Sequence, residues 1–132
     1  MACKTETREI RGKPVFVRQW PANKAMAMQI DVLTVMGDDA LSFVMGDWNF
    51  GNLIYILQRV EKPVFISLVK ECISCAVVDN VVINEANFDV EFSGDLMRIY
   101  SIFSFVLEVN FKDFFVEGLA AMEEVKKNQL KK

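Results

Sequence analysis

The run Thr5-Glu6-Thr7-Arg8-Glu9-Ile10-Arg11-Gly12-Lys13-Pro14-Val15-Phe16-Val17-Arg18-Gln19-Trp20-Pro21 holds two strand-forming segments around a turn. Val15 to Trp20 is rich in β-branched and aromatic residues, Thr5 to Ile10 mixes Thr, Glu and Arg with one apolar residue, and Arg11-Gly12-Lys13-Pro14 supplies turn chemistry between them. The pattern predicts a hairpin over residues 5–19. A lone two-stranded hairpin is marginal in water, so it must pack on the rest of the chain or pair with another one. Pro21 then suits the first turn of a helix, where its missing N–H costs nothing.

From Pro21 onward the helical period takes over. Ala22, Ala25, Met26, Gln29, Ile30, Leu33 and Met36 recur at three- and four-residue spacing, and Gly37 is a helix stop. Asp38 or Asp39 can cap a short helix over residues 40–45. A Gly-flanked loop with Trp48 and Phe50 follows, then a helix over residues 53–60 capped by Asn52, and another entered at Pro63 and running to Val77. After the turn signal Asp79-Asn80, Val81-Val82-Ile83 is short and β-branched, and Phe88-Asp89-Val90-Glu91-Phe92 alternates as a strand would. Ser93 or Asp95 caps a helix through Val109, Asn110 interrupts it, and residues 113–127 form a last helix. The fold expected is α+β, mostly α: an N-terminal β-hairpin packed on a bundle of about five helices. It forms a single domain over residues 1–132, with the hairpin in 1–20, helices in 21–127 and a frayed tail in 128–132.

Composition bounds the chemistry. The chain has 132 residues, 52% hydrophobic and 25% charged, a balance that folds without metal or disulfides. It contains no His, which excludes Ser-His-Asp and Cys-His catalysis and every His-containing zinc site. A net charge of −3 argues against a nucleic-acid-binding face. The polar start Met1-Ala2-Cys3-Lys4 lacks the apolar core of a signal peptide. The longest strongly apolar window, Ile99 to Leu107, is too short to span a membrane.

The three Cys do not form an even disulfide framework and suit a reducing compartment. Cys72-Ile73-Ser74-Cys75 has C-x-x-C spacing but sits in an apolar helical run, so both thiols read as small core residues. The adjacent acids Asp38-Asp39 and Glu123-Glu124 read as capping and a solvated helix face. No phosphate-binding glycine loop, EF-hand or metal-ligand spacing appears, and the chain is expected to be neither an enzyme nor a cofactor or metal binder. The C-terminal lysines complement a helix dipole.

The apolar excess is the remaining signal. Eleven Phe, seven Met and two Trp are many for one small domain, and Met-rich surfaces adapt to varied partners. In the helix over residues 22–36, Met26, Ile30 and Leu33 fill one stripe and Met28, Val32 and Val35 lie off it, with Trp20 and Trp48 bordering the region. Trp20, Met28, Val32, Val35 and Trp48 are therefore the candidate contacts for apolar helices of a partner. The aromatic junction at Phe111, Phe114 and Phe115 is the second choice.

Two stretches carry a family resemblance: Ile10-Arg11-Gly12-Lys13-Pro14-Val15-Phe16-Val17-Arg18-Gln19-Trp20-Pro21-Ala22, and Leu107-Glu108-Val109-Asn110-Phe111-Lys112-Asp113-Phe114-Phe115. With the acidic segment before Ser93-Gly94-Asp95-Leu96, the layout resembles the tail assembly chaperones of long-tailed bacteriophages. The resemblance implies a protein that acts in the host cell cytoplasm, binds the long apolar tape measure protein, keeps it soluble, helps present it to tail tube subunits and leaves the finished particle. The competing class is a structural tail or baseplate protein retained in the virion. Self-association into a homo-oligomer stays open.

Overall fold

The computed structural model describes residues 4–130, with side chains through Lys127. Strands β1 (Thr5–Ile10) and β2 (Lys13–Arg18) pair antiparallel, Thr5 opposite Arg18 and Ile10 opposite Lys13. The loop between them is Arg11-Gly12, both at positive φ, 50° and 84°. This two-residue geometry matches the twist of the strands. The hairpin is widened by β3 (Ala76–Val78) and β4 (Val81–Val82) into a four-stranded antiparallel sheet in the order β1-β2-β3-β4. Asp79 and Asn80, at φ 49° and 67°, make the second tight turn, a conformation these residue types tolerate.

Helix α1 (Ala22–Met36) closes at Gly37, whose φ is 63°. A 3₁₀ turn (Gly37–Asp39) leads into α2 (Ala40–Met45), followed by α3 (Phe50–Arg59), α4 (Lys62–Ile73), α5 (Phe88–Phe92) and α6 (Leu96–Leu130). The α+β, mostly α expectation holds. Asp39 precedes α2 without making a side-chain cap bond and pairs instead with Arg59. Helix α3 starts earlier than expected: Asn49 is the cap, accepting from the Asn52 N–H at 2.8 Å, while the Asn52 carboxamide accepts from the Asn49 N–H at 2.8 Å. This reciprocal capping box moves Asn52 inside the helix.

Three further departures from the sequence reading have a visible reason. Helix α4 ends at Ile73 rather than Val77, because Ala76 to Val78 pairs with β2 and buries Ala76 and Val78 completely. The range 21–127 is therefore not wholly helical. Residues 88–92 form a helix, not a strand. The Asn84 carboxamide accepts from the N–H groups of Ala86 and Asn87, starting a turn that continues into the helix. Phe88 and Phe92 then meet one turn apart as a tilted pair, ring centroids 5.0 Å, while Val90 faces outward, 84% exposed.

Asn110 does not interrupt α6. Its carboxamide donates to the Val106 carbonyl at 2.9 Å and accepts the Trp20 N–H at 2.9 Å, so its polar group is satisfied from within the helix. The two expected helices are one of 35 residues. That helix also runs to Leu130, through part of the tail expected to fray; residues 131–132, and Cys3 at the other end, lie outside the described residues.

Helix α6 is the central element. Ile102, Phe103, Phe105, Val106 and Leu107 are buried, and the helix packs against α2, α4, β1 and β2. The inner sheet residues Val15, Val17, Ala76 and Val78 complete the interior. Ser104 Oγ donates to the Phe43 carbonyl at 2.7 Å and fixes α2 on α6. Arg98, 4% exposed, pairs with Glu91 and Asp95 at 3.1 Å each and lies 4.7 Å over the Phe92 ring. Arg11 reaches Asp95 at 3.0 Å and Lys13 reaches Glu91 at 3.4 Å. The hairpin tip is thereby clamped onto the α5–α6 corner.

Candidate partner-binding groove

Helix α1 shows which of its two apolar stripes faces inward. Met28, Val32 and Met36, spaced four apart, are buried, whereas Met26 and Ile30 are 63% and 62% exposed and Leu33 is exposed with them. The assignment expected from sequence is inverted. The cause lies at the start of the helix. The Trp20 N–H is held by Asn110, and its ring packs 5.8 Å from Phe111, so Trp20 enters the core and fixes the rotation of the helix that follows.

Trp20, Met28 and Val32 are thus interior side chains rather than a free surface. Val35 is half-buried against the core, as is Trp48, which stacks on Phe43 with centroids 4.8 Å apart. The structure does not assemble the five expected residues into one open face. In the second-choice junction, Phe111 is buried, Phe114 is 57% exposed and Phe115 lies between. The last two rings meet edge to face at 5.2 Å.

An apolar groove opens on that same side. Leu33 and Leu41 form one wall, and Phe114, Phe115, Leu119 and Met122 the other, enclosing about 360 Å³. The α1 wall continues into the exposed Ile30 and Met26. The α6 wall belongs to a helix that has left the domain: from Lys112 to Lys127 every residue except Phe115 is exposed, an overhang of about 24 Å at 1.5 Å per residue. Leu119, Met122 and Val125 remain uncovered along it. The sequence analysis gave Met26, Ile30 and Leu33 the stripe that proves exposed and did not single out Leu119, Met122 or Val125. The available signal was an apolar period persisting in the last helix after the central helix had supplied its core residues.

Charge around the groove is sparse. Asp38 is the one charged residue lining it, and it makes no ion pair among the described residues. No group of three metal-ligating side chains occurs among the described residues, and no helix there is long and apolar enough to cross a membrane.

The thiols stand apart from the groove. Burial, reinforced by Cys75 and Glu71, pushes the Cys72 thiol far up. Burial likewise pushes Cys75 up to about 11, opposed by Lys24, by its own backbone amide and by the Trp20 indole. That indole N–H is near the sulfur yet makes no hydrogen bond of ordinary geometry, leaving it a buried donor without a partner. Thiols raised in this way are poor nucleophiles at neutral pH.

The groove therefore has apolar walls and, among the described residues, no convergent reactive groups. No curated protein and no solved structure shows a significant match to the chain. A family model described as phage tail assembly chaperone protein, TAC, matches residues 11–123, and the chain belongs to that family.

Proposed function

We propose that this chain binds the tape measure protein in the host cell cytoplasm, keeps it soluble, assists its presentation to tail tube subunits and is absent from the mature virion. The supporting observation is the apolar surface running from Met26 and Ile30 through the groove to Met122 and Val125. A holdase of this kind acts by covering apolar segments, which needs such a surface and no catalytic group. Of the five residues expected from the sequence, Val35 and Trp48 are half-buried outside the lining of this groove, and Trp20, Met28 and Val32 are core side chains.

The energetics suit temporary capture. Fully burying a large apolar side chain contributes about 1.5–3 kcal/mol, and the exposed groove residues have roughly half of that left to gain. With a similar contribution from the partner, the sum exceeds the association cost of about 4–15 kcal/mol by only a modest margin. Binding in the micromolar range can be reversed when the tube assembles.

The test is co-expression with the tape measure protein, measuring its soluble fraction and its co-purification. The pair Leu33→Ser and Phe114→Ser should abolish capture with little change in melting temperature. Capture unaffected by that pair would refute the groove as the seat of binding. Finding the chain at stoichiometric level in purified particles would favour the structural tail or baseplate reading.

A further inference from the structure

Gly118 has no role inside the folded chain. The glycines at 12, 37, 46 and 94 hold positive φ, and Gly51 lies against the capping carboxamide of Asn49. Gly118 is different: it lies in the middle of the α6 overhang, at a helical φ, and a Cβ built on it would meet nothing within 4 Å. Glycine costs a helix more than any residue except proline, and here neither backbone strain nor internal packing offsets that cost. A local rule broken without internal compensation points to function. Gly118 also lines the groove between Leu33 and Met122, where a missing side chain lets another backbone come close.

We propose that Gly118 is the point of closest approach for the partner: an apolar α-helix crosses α6 over this residue, with a Lys or Arg directed at Asp38. The proposal rests on the groove reading above and adds the partner's chemistry to it. Small residues at a helix crossing bring two backbones together and extend packing on both sides, here along Phe115 and Leu119. The charge follows from the lining. Asp38 is exposed and without an ion pair among the described residues, whereas its neighbour Asp39 is held by Arg59. A cation on the partner supplies what the fold does not. The remaining walls are uncharged, so they ask only for an apolar face.

The experiment uses the full chain and two labelled synthetic helices of roughly 20 residues, each with a Leu/Ala face and with either Lys or Glu flanking it, followed by fluorescence anisotropy. The Lys helix should bind about tenfold or more tightly than the Glu helix, and Asp38→Asn should remove most of that preference. Gly118→Ala should raise the local helix stability of residues 112–127, read as slower amide exchange there with the global melting temperature little changed, while weakening the Lys helix about tenfold. Gly118→Leu should abolish binding. These opposite signs in stability and affinity separate a contact role from a structural one.

Wild-type affinity in Gly118→Leu would overturn the close-approach assignment. If Leu33→Ser with Phe114→Ser lost binding in the same series, the groove reading would survive that failure; if this pair also bound normally, both would fall. Equal affinity for the Lys and Glu helices would overturn the role of Asp38. Sedimentation showing a dimer that Gly118→Leu dissociates would overturn the proposal in favour of a second copy as occupant.

Discussion

The rotation of α1 sets which residues hold the domain together and which are left for a partner, and two double variants read it out. Met28 and Val32 are each 2% exposed. Met28→Ala removes a buried side chain at a cost of about 2–5 kcal/mol. Val32→Ala deletes two methyl groups worth about 0.8 kcal/mol each in transfer alone, before any cavity is counted. Together they should remove about 4–6 kcal/mol from a domain whose whole stability is of the order of 5–15 kcal/mol. At roughly 3–5 °C per kcal/mol for a chain of this size, the melting temperature should fall by more than about 10 °C. The opposite pair, Met26→Gln with Ile30→Gln, changes exposed positions to a good helix former and should stay within about 0.5 kcal/mol of wild type. Circular dichroism melts and urea midpoints provide the measurement. Capture of the tape measure protein by the Gln pair should weaken while its fold is unchanged. A Gln pair that unfolds, or an Ala pair that melts like wild type, would refute the rotation and with it the groove's α1 wall.

Other outcomes follow from single contacts. Asn110→Ala leaves the Trp20 N–H without its acceptor at a half-buried position and should cost about 1–3 kcal/mol, with far-UV helicity retained because α6 does not depend on that side chain to continue. Gly46→Ala places a Cβ 2.7 Å from Glu108 Oε1 at a φ of 78°. Left-handed strain of about 1–2 kcal/mol, added to displacement of Glu108 from Arg8, should lower the melting temperature; an unchanged value would contradict the packing of α2 on α6. Acid titration reports the hairpin clamp. Burial alone would raise the Asp95 carboxyl, but the Arg98 hydrogen bond and the Arg11 charge hold it below the usual carboxylate range. A depressed pKa contributes stability above the unfolded value of about 3.9 and loses it as pH falls through the folded one. Urea midpoints should drop below about pH 4, and less steeply in Asp95→Asn.

Local chemistry was legible where it alone decides the outcome. The β1–β2 hairpin, the Gly37 stop and the Asp79-Asn80 turn follow from residue types that favour those backbone angles, and the structure places them where the sequence did. Legibility failed where tertiary contacts override pattern. Residues 88–92 alternate like a strand, but the Asn84 turn acts on neighbouring backbone before any strand partner is available. Asn110 looks like a helix break until Trp20 supplies a donor from 90 residues away. In the same way, two stripes on α1 share one period, and the inward one is chosen by the anchoring of Trp20. Met28 and Val32 therefore lie in the core, while the neighbouring Leu33 and the junction residue Phe114, both named from the sequence, are exposed.

The α6 overhang should also behave as two parts of one helix. From Met97 to Phe111 its side chains are buried or half-buried, but from Lys112 to Lys127 only Phe115 is even partly covered. A helical segment of this length is marginal in water without packing, and Gly118 weakens it further. Amides in 112–127 should therefore open at low free energy, while those in 99–111 open only with the whole domain. If the tape measure protein covers the groove as proposed, it buries Phe114, Leu119 and Met122 and makes the overhang part of a packed interface. Hydrogen exchange followed by mass spectrometry should show protection rising in 112–127 and in the exposed face of α1, with little change in 99–111. Protection that rises only in the core segment, or nowhere, would mean that the partner docks elsewhere.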